Sequence, residues 1–193
     1  MHEIPGHKGG VRKWQSVQDE ISLVLKTSSQ QVCTIMFDFY KLDQSWPGLE
    51  SARLLSISQV ASAIEHALAN HIEMAMPTIH PKRFIPYIQM HEYEALLFAD
   101  ANKLAEALPG GAAKHTQTIN GILAAVSSPE EINTGAATHP AKRIAQMLPN
   151  YEKAKTIEGI NLAQSIGIQS MLKTCHHFAS WVNQLLALSY QDH

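Results

Sequence analysis

The sequence predicts an α/β fold: a small, mostly parallel sheet flanked by helices, with a helical C-terminal portion. Three observations carry this. Val32-Cys33-Thr34-Ile35-Met36-Phe37 is a nearly uninterrupted apolar run rich in β-formers, the pattern of a strand covered on both faces, as in parallel sheets. Just before it, Val11, Trp14, Val17, Ile21, Val24 and Leu25 recur at helical spacing. Beyond residue 101 the pattern is helical with loops between, so the order is helix, strand, helix, strand, then helices.

Residues 1–10 hold Pro5, Gly6, Gly9 and Gly10 and read as a loose start. A polar break, Thr27 to Gln31, separates the first helix from the first strand. Trp46-Pro47-Gly48 marks a turn. Ser56 and Gln59 have capping-box spacing, and Ile57, Val60, Ala61, Ile64, Leu68 and Ile72 form the buried stripe of the next helix, ended by Pro77 and Pro81. Phe84 to Met90 is the second strand, with Pro86 demanding an edge or bulged position. A helical stretch begins over Glu94 to Phe98 and continues over Asn102 to Leu108. Pro109-Gly110-Gly111 and Ser127-Ser128-Pro129 break the helical remainder, and the last helix carries Phe178, Trp181, Val182, Leu185 and Leu186 on one face. No repeat or linker divides the chain, so a single domain over residues 1–193 is expected, with 101–193 mainly helical.

The 193 residues suit one domain. A net charge of -2 excludes a polybasic binder that relies on bulk charge, and leaves room for a local basic groove. No apolar run approaches the ~20 residues that span a bilayer, and Met1 to Gly10 has no signal-peptide core; no membrane association is expected. Cys33 and Cys175 are the only cysteines, lie far apart and form no CxxC. Free thiols and a cytoplasmic location are expected.

Chemistry is expected first at Asp38, directly after the first strand, because open α/β sheets bind ligands at the carboxyl ends of their strands and a carboxylate there suits Mg²⁺. A turn cap is the plainer role. The second candidate is His91-Glu92-Tyr93-Glu94, directly after the second strand. Its carboxylates face one way if the strand continues, and then share a divalent ion with Asp38 at one edge of the sheet; they diverge if a helix begins there. As a helix N-terminus they only stabilise its dipole. The third is His139-Pro140-Ala141-Lys142-Arg143, where Pro140 starts a helix and Lys142 and Arg143 meet phosphates or solvent. Eleven histidines are many for this length; most read as ordinary surface or core residues. HExxH, a Walker loop, GxGxxG and GxSxG are all absent, which disfavours zinc proteases, P-loop ATPases, Rossmann dehydrogenases and α/β hydrolases.

Thr34 to Tyr40, Trp46-Pro47-Gly48 and above all Arg83-Phe84-Ile85-Pro86-Tyr87-Ile88-Gln89-Met90-His91-Glu92-Tyr93-Glu94-Ala95-Leu96-Leu97-Phe98 resemble an uncharacterised bacterial family with a Toprim-like fold. The likeness continues through Pro129 to Asn133, Lys142-Arg143-Ile144 and Cys175 to Phe178, and so covers most of the chain. It implies a Toprim-like domain that binds Mg²⁺ or Mn²⁺ through Asp38, Glu92 and Glu94 for phosphodiester hydrolysis. His91, Lys142 and Arg143 would face the nucleic acid. Such proteins are often encoded beside an ATPase and suspected of serving phage defence. Two departures stand out. The family's opening strand and glutamate turn are not found ahead of the Trp14 helix, Glu3 being a poor substitute; and Tyr40 stands at the second position of the Asp-x-Asp pair, with Asp43 displaced.

The expectation is therefore a Mg²⁺-dependent nuclease, or a remnant of one with weak activity, acting with an ATPase partner. The alternative is a non-catalytic subunit that docks on that ATPase, or pairs with a second copy through an exposed sheet edge. A metal-binding regulator built on the histidines is a third option.

Overall fold

A computed structural model describes residues 12–132, 135 and 137–189. The expected loose start over residues 1–10, Glu3, Val11 and Asn133 lie outside the described residues. The fold is mixed α/β with a two-stranded parallel sheet, flanking helices and a helical C-terminal portion, as the sequence predicts. The chain divides into two compact units, one ending at Ile88 and one beginning at Gln89.

In the first unit, α1 (Trp14–Thr27) buries Trp14, Val17, Ile21 and Leu25 of the expected stripe, with Val24 half-buried. β1 (Cys33–Asp38) pairs with β2 (Phe84–Gln89), and α2 (Leu49–Ala52) and α3 (Ile57–Ala75) lie between them in sequence. The last carbonyls of a helix lack intrahelical partners. Here Arg83 supplies them: Nε donates to the Gln31 carbonyl (2.8 Å), and Nη2 donates to the carbonyls of Leu25 (3.0 Å) and Ser28. The arginine that opens the long family-like phrase is thus a clamp on the end of α1. Trp46, in the turn after β1, stacks against Trp14 and Phe37 (ring centroids 5.2 and 4.8 Å) and donates Nε1–H to the Arg12 carbonyl.

Two expectations need correction here. β1 is not covered on both faces: Thr34 and Met36 are exposed while Cys33, Ile35 and Phe37 are half-buried. This is the alternation of a strand with one covered face, hidden in the sequence because Met36 is apolar. β2 is the buried strand, interrupted only at Pro86; in a two-stranded sheet every strand is an edge, which suits a proline. Glu65 from α3 accepts the Ile88 N–H (2.8 Å), a side chain where a neighbouring strand would otherwise stand. The capping box is also incomplete. Ser56 is the N-cap of α3, yet its Oγ donates to Gln59 Oε1 (2.6 Å) instead of accepting a backbone N–H.

In the second unit the helical stretch begins as a 3-10 helix (Tyr93–Ala99), and Glu94 to Ala99 are all buried. Asp100, in extended backbone, separates it from α4 (Ala101–Ala107) and caps that helix through the Lys103 N–H. Five α-helices come after it among the described residues: α5 (Gly111–Leu123), α6 (Pro140–Met147), α7 (Tyr151–Ile166), α8 (Ile168–Thr174) and α9 (His176–Ser189). The 3-10 helix packs against α4, α6, α7 and α8, so its Leu96, Leu97 and Phe98 form the centre of this unit's core. On α9, Phe178 is buried but Leu186 is exposed. No helix among the described residues is long and apolar enough to cross a membrane.

Gly48 is required by geometry. It sits at φ +77°, and a Cβ there would lie 2.6 Å from Ala67 Cβ on α3. Gly48→Ala is expected to cost roughly 3 kcal/mol, from left-handed strain plus overpacking. Urea denaturation measures it; a midpoint unchanged from the parent chain would show that the turn is not pressed against α3.

Candidate functional site

The polypeptide leaves β2 into His91, whose backbone adopts φ +65°. A left-handed conformation at a non-glycine residue is strained and clusters at functional sites. His91 is 2 % exposed, and neither ring nitrogen has a hydrogen-bond partner. Buried polar atoms are nearly always paired, so this imidazole has binding capacity that the chain itself leaves unused. Burial holds its pKa below the usual imidazole range, against the pull of the neighbouring Glu92 carboxylate.

Because a 3-10 helix begins at Tyr93, Glu92 and Glu94 diverge, the second of the two outcomes open from sequence. Glu92 turns to α6: its Oε2 accepts from His139 Nδ1 (2.9 Å) and from the Ala141 N–H (3.2 Å). Glu94, 0 % exposed, turns to α7: its Oε1 accepts from the Tyr151 hydroxyl (3.0 Å) and pairs with the Lys155 ammonium (2.7 Å), while Oε2 has no partner. Burial, then the Glu94 carboxylate, pushes the Tyr151 phenol far above its ordinary pKa and raises that of Tyr93 as well.

The other expected residues lie elsewhere or already have partners. Lys142 donates to Glu152 (3.0 Å), and Arg143 Nε donates to the Thr138 carbonyl (2.6 Å). Lys142 and Glu152 line a cavity of about 300 Å³ together with Gln146, Asn150, Tyr151 and Lys153. Asp38 ends β1 in the first unit and heads a 3-10 turn, Phe39–Lys41, without capping it through its side chain. Tyr40 is exposed, and hydrogen bonding from the Ser45 side chain, then from its N–H (3.0 Å), holds the Asp43 carboxyl below the ordinary range. Among the described residues no three His, Cys, Asp or Glu side chains are grouped to hold a metal ion by themselves.

Sequence reasoning missed the partners. Tyr151 and Lys155 lie about sixty positions from Glu94, and nothing in their local sequence marks them. His139 carried a signal, since His-Pro before a helix reads as an N-cap. It also missed Glu130, which is buried and accepts the backbone N–H groups of His177 (2.9 Å) and Phe178 (3.0 Å) at the start of α9. That tie joins two family-like segments, Pro129 to Ile132 and Cys175 to Phe178. Several histidines are structural: His71 bonds Gln18, His80 caps Lys82 N–H, and His115 bonds the Pro109 carbonyl. Both thiols are free, and burial raises Cys33 to about 11 and Cys175 to about 12, so neither is a thiolate near neutral pH.

Residues 2–186 match a family model described as Domain of unknown function (DUF4276). No curated protein and no solved structure matches the chain.

The His91 shift has a signed consequence. Its folded pKa lies below the unfolded value of about 6.5, so the unfolded chain binds the proton first. The contribution to stability is complete above that value and is lost as pH falls below it. The urea midpoint should drop between pH 7.5 and 5.5, and drop less in His91→Asn, which tolerates the left-handed backbone without titrating. Equal slopes in the two chains would sink this account of His91.

Proposed function

We propose that this chain, which belongs to the DUF4276 family, is a Toprim-like, Mg²⁺-dependent nuclease or the remnant of one, acting beside an ATPase partner in bacterial defence. The observation that carries the reading is the strained, buried and unpartnered His91 next to Glu92, directly after β2. The carboxyl end of a strand is where α/β sheets bind ligands. Unspent hydrogen-bonding capacity at that place is chemistry in reserve rather than a fold requirement.

Mg²⁺ takes one or two carboxylates and keeps several waters, completing its shell with substrate phosphates instead of a closed protein cage. Glu92, contacted by an imidazole and an amide N–H and by no fixed cation, suits that demand as a single protein ligand. When bound, the ion would neutralise phosphate charge and acidify a water. The chain's own groups supply the rest. Lys142 and Arg143 stand at the start of α6 for phosphate oxygens.

A second reading, a non-catalytic subunit docking on the ATPase, is favoured by one specific feature: the Lys155 ammonium already occupies Glu94 at 2.7 Å. A fixed cation on a carboxylate competes with a divalent ion.

Plasmid DNA and a structured RNA, incubated with the chain and Mg²⁺ or Mn²⁺, separate the two. Slow cleavage is expected, abolished by EDTA and reduced about 10²-fold or more in Glu92→Gln. Asp38→Asn tests, in the same assay, the role that the family likeness gives that residue. Cleavage that survives EDTA would overturn the metal-dependent reading. Absence of cleavage from both the parent chain and Lys155→Met would leave the docking subunit as the better account.

A further inference from the structure

We propose that the cavity between α6 and α7 is a binding site for a phosphate monoester, its dianion held by the Lys142 and Lys153 ammonium groups. Such a site is separate from the nuclease reading: a chain that cleaves nothing can still bind this ligand.

The cavity follows from local geometry. Lys142, Ala145 and Gln146 stand at i, i+3 and i+4 on α6 and so share one face of that helix. Asn150, at φ +67°, turns the chain sharply into α7, a backbone that asparagine tolerates better than most residues. Tyr151, Glu152 and Lys153 of the first turn of α7 close the space, about 300 Å³ in volume. Ala145 lines it with a single methyl group, so a longer side chain there would fill it.

Its charge selects an anion. Lys142 already holds the Glu152 carboxylate at 3.0 Å inside this lining. The Glu152 side chain is 59 % exposed, yet the hydrogen bond and charge of Lys142, with help from His139 and Lys155, hold its carboxyl below the ordinary range. The chain thus keeps an anion of its own in a positive field. Glu94, bonded to the Tyr151 hydroxyl, is paired with Lys155 and does not cancel that field. The Glu152 carboxylate uses only part of what the cavity offers. Among the described residues Lys153 forms no ion pair, and the Asn150 side chain makes no capping bond.

A phosphate monoester supplies what is missing. It carries a charge of roughly −1.5 to −2 at neutral pH and three strong acceptor oxygens, enough for both ammonium groups and the Asn150 amide. A carboxylate ligand would only repeat what Glu152 does and leave Lys153 unused. Because the Glu152 side chain is exposed, it can swing into solvent as the ester takes its place at Lys142. Ligand pockets run upwards from about 300 Å³, so this one admits a small ester or the phosphorylated end of a strand, not a run of nucleic-acid backbone.

Isothermal titration of the full chain with adenosine 5′-monophosphate, inorganic phosphate and adenosine tests the site. The first two should bind and adenosine should not. Glu152→Gln removes the internal competitor and should tighten binding of the nucleotide about two- to fivefold, the range of an exposed ion pair. Lys153→Met should weaken it about tenfold or more. Ala145→Leu should abolish it with the urea midpoint unchanged. Glu152→Gln and Lys153→Met alter exposed side chains, so they decide the matter even where Ala145→Leu disturbs α6. An oligonucleotide with a 5′-phosphate, compared with its 5′-hydroxyl form, identifies the source of the ester. Phosphate-dependent binding at least as tight as that of the nucleotide assigns the site to a strand end; weaker binding assigns it to a free small molecule. No binding of phosphate or nucleotide at millimolar concentration, adenosine binding as tightly as its monophosphate, or an affinity indifferent to Lys153→Met overturns the site.

Discussion

Desolvation of carboxylates governs the second unit. Glu92, Glu94 and Glu130 are all buried, and a buried charge without partners is too costly to tolerate. Each is answered by a different helix: Glu92 by His139 and the first turn of α6, Glu94 by Tyr151 and Lys155 of α7, and Glu130 by two N–H groups at the start of α9. Two of the three ties end on a helix N-terminus, where backbone donors lack intrahelical partners and negative charge is favoured. The glutamates therefore act as docking points that fix where α6, α7 and α9 sit around the 3-10 helix. Removing one partner strands the other in a dry interior, a loss of roughly 3–5 kcal/mol for a buried pair.

That dependence explains what could be read from the sequence. The stripes of α1 and α3 are local and periodic, and both emerged apart from Ile57, which is exposed in the first turn of α3: Val17, Ile21 and Leu25 on one, Val60, Ile64 and Leu68 on the other. β2 also emerged, with its proline at an edge. The cover of β1 did not, because an apolar Met36 on the outer face erases the alternation that separates a half-covered strand from a buried one. The ties on the glutamates are not local. His139 lies 47 residues from Glu92, and Tyr151 57 from Glu94. No periodicity encodes such a pairing; only the fold does. The sequence did limit the choice at His91 to Glu94 to two geometries, and the 3-10 turn at Tyr93 decided between them.

The same residues serve stability and chemistry, and the two demands compete. A carboxylate saturated by internal donors stabilises the fold and has little left for a ligand. One left unsaturated costs stability and retains reactivity. His91, with a strained backbone and no hydrogen-bond partner, lies wholly on the second side of that division. Glu130 lies on the first, with both oxygens taken up by backbone N–H groups.

Glu92 and Glu94 differ in a way their spacing conceals. Lys155 places a full positive charge on Glu94, so that pair is close to neutral as seen by an approaching ligand. Glu92 meets an amide N–H and an imidazole that is charged only when protonated. In a medium of low polarity an uncancelled charge is felt strongly, and Glu92 carries more of it than Glu94. Within the His91–Glu94 segment, Glu94 thus anchors α7 as a neutralised pair, and Glu92 presents the less compensated charge.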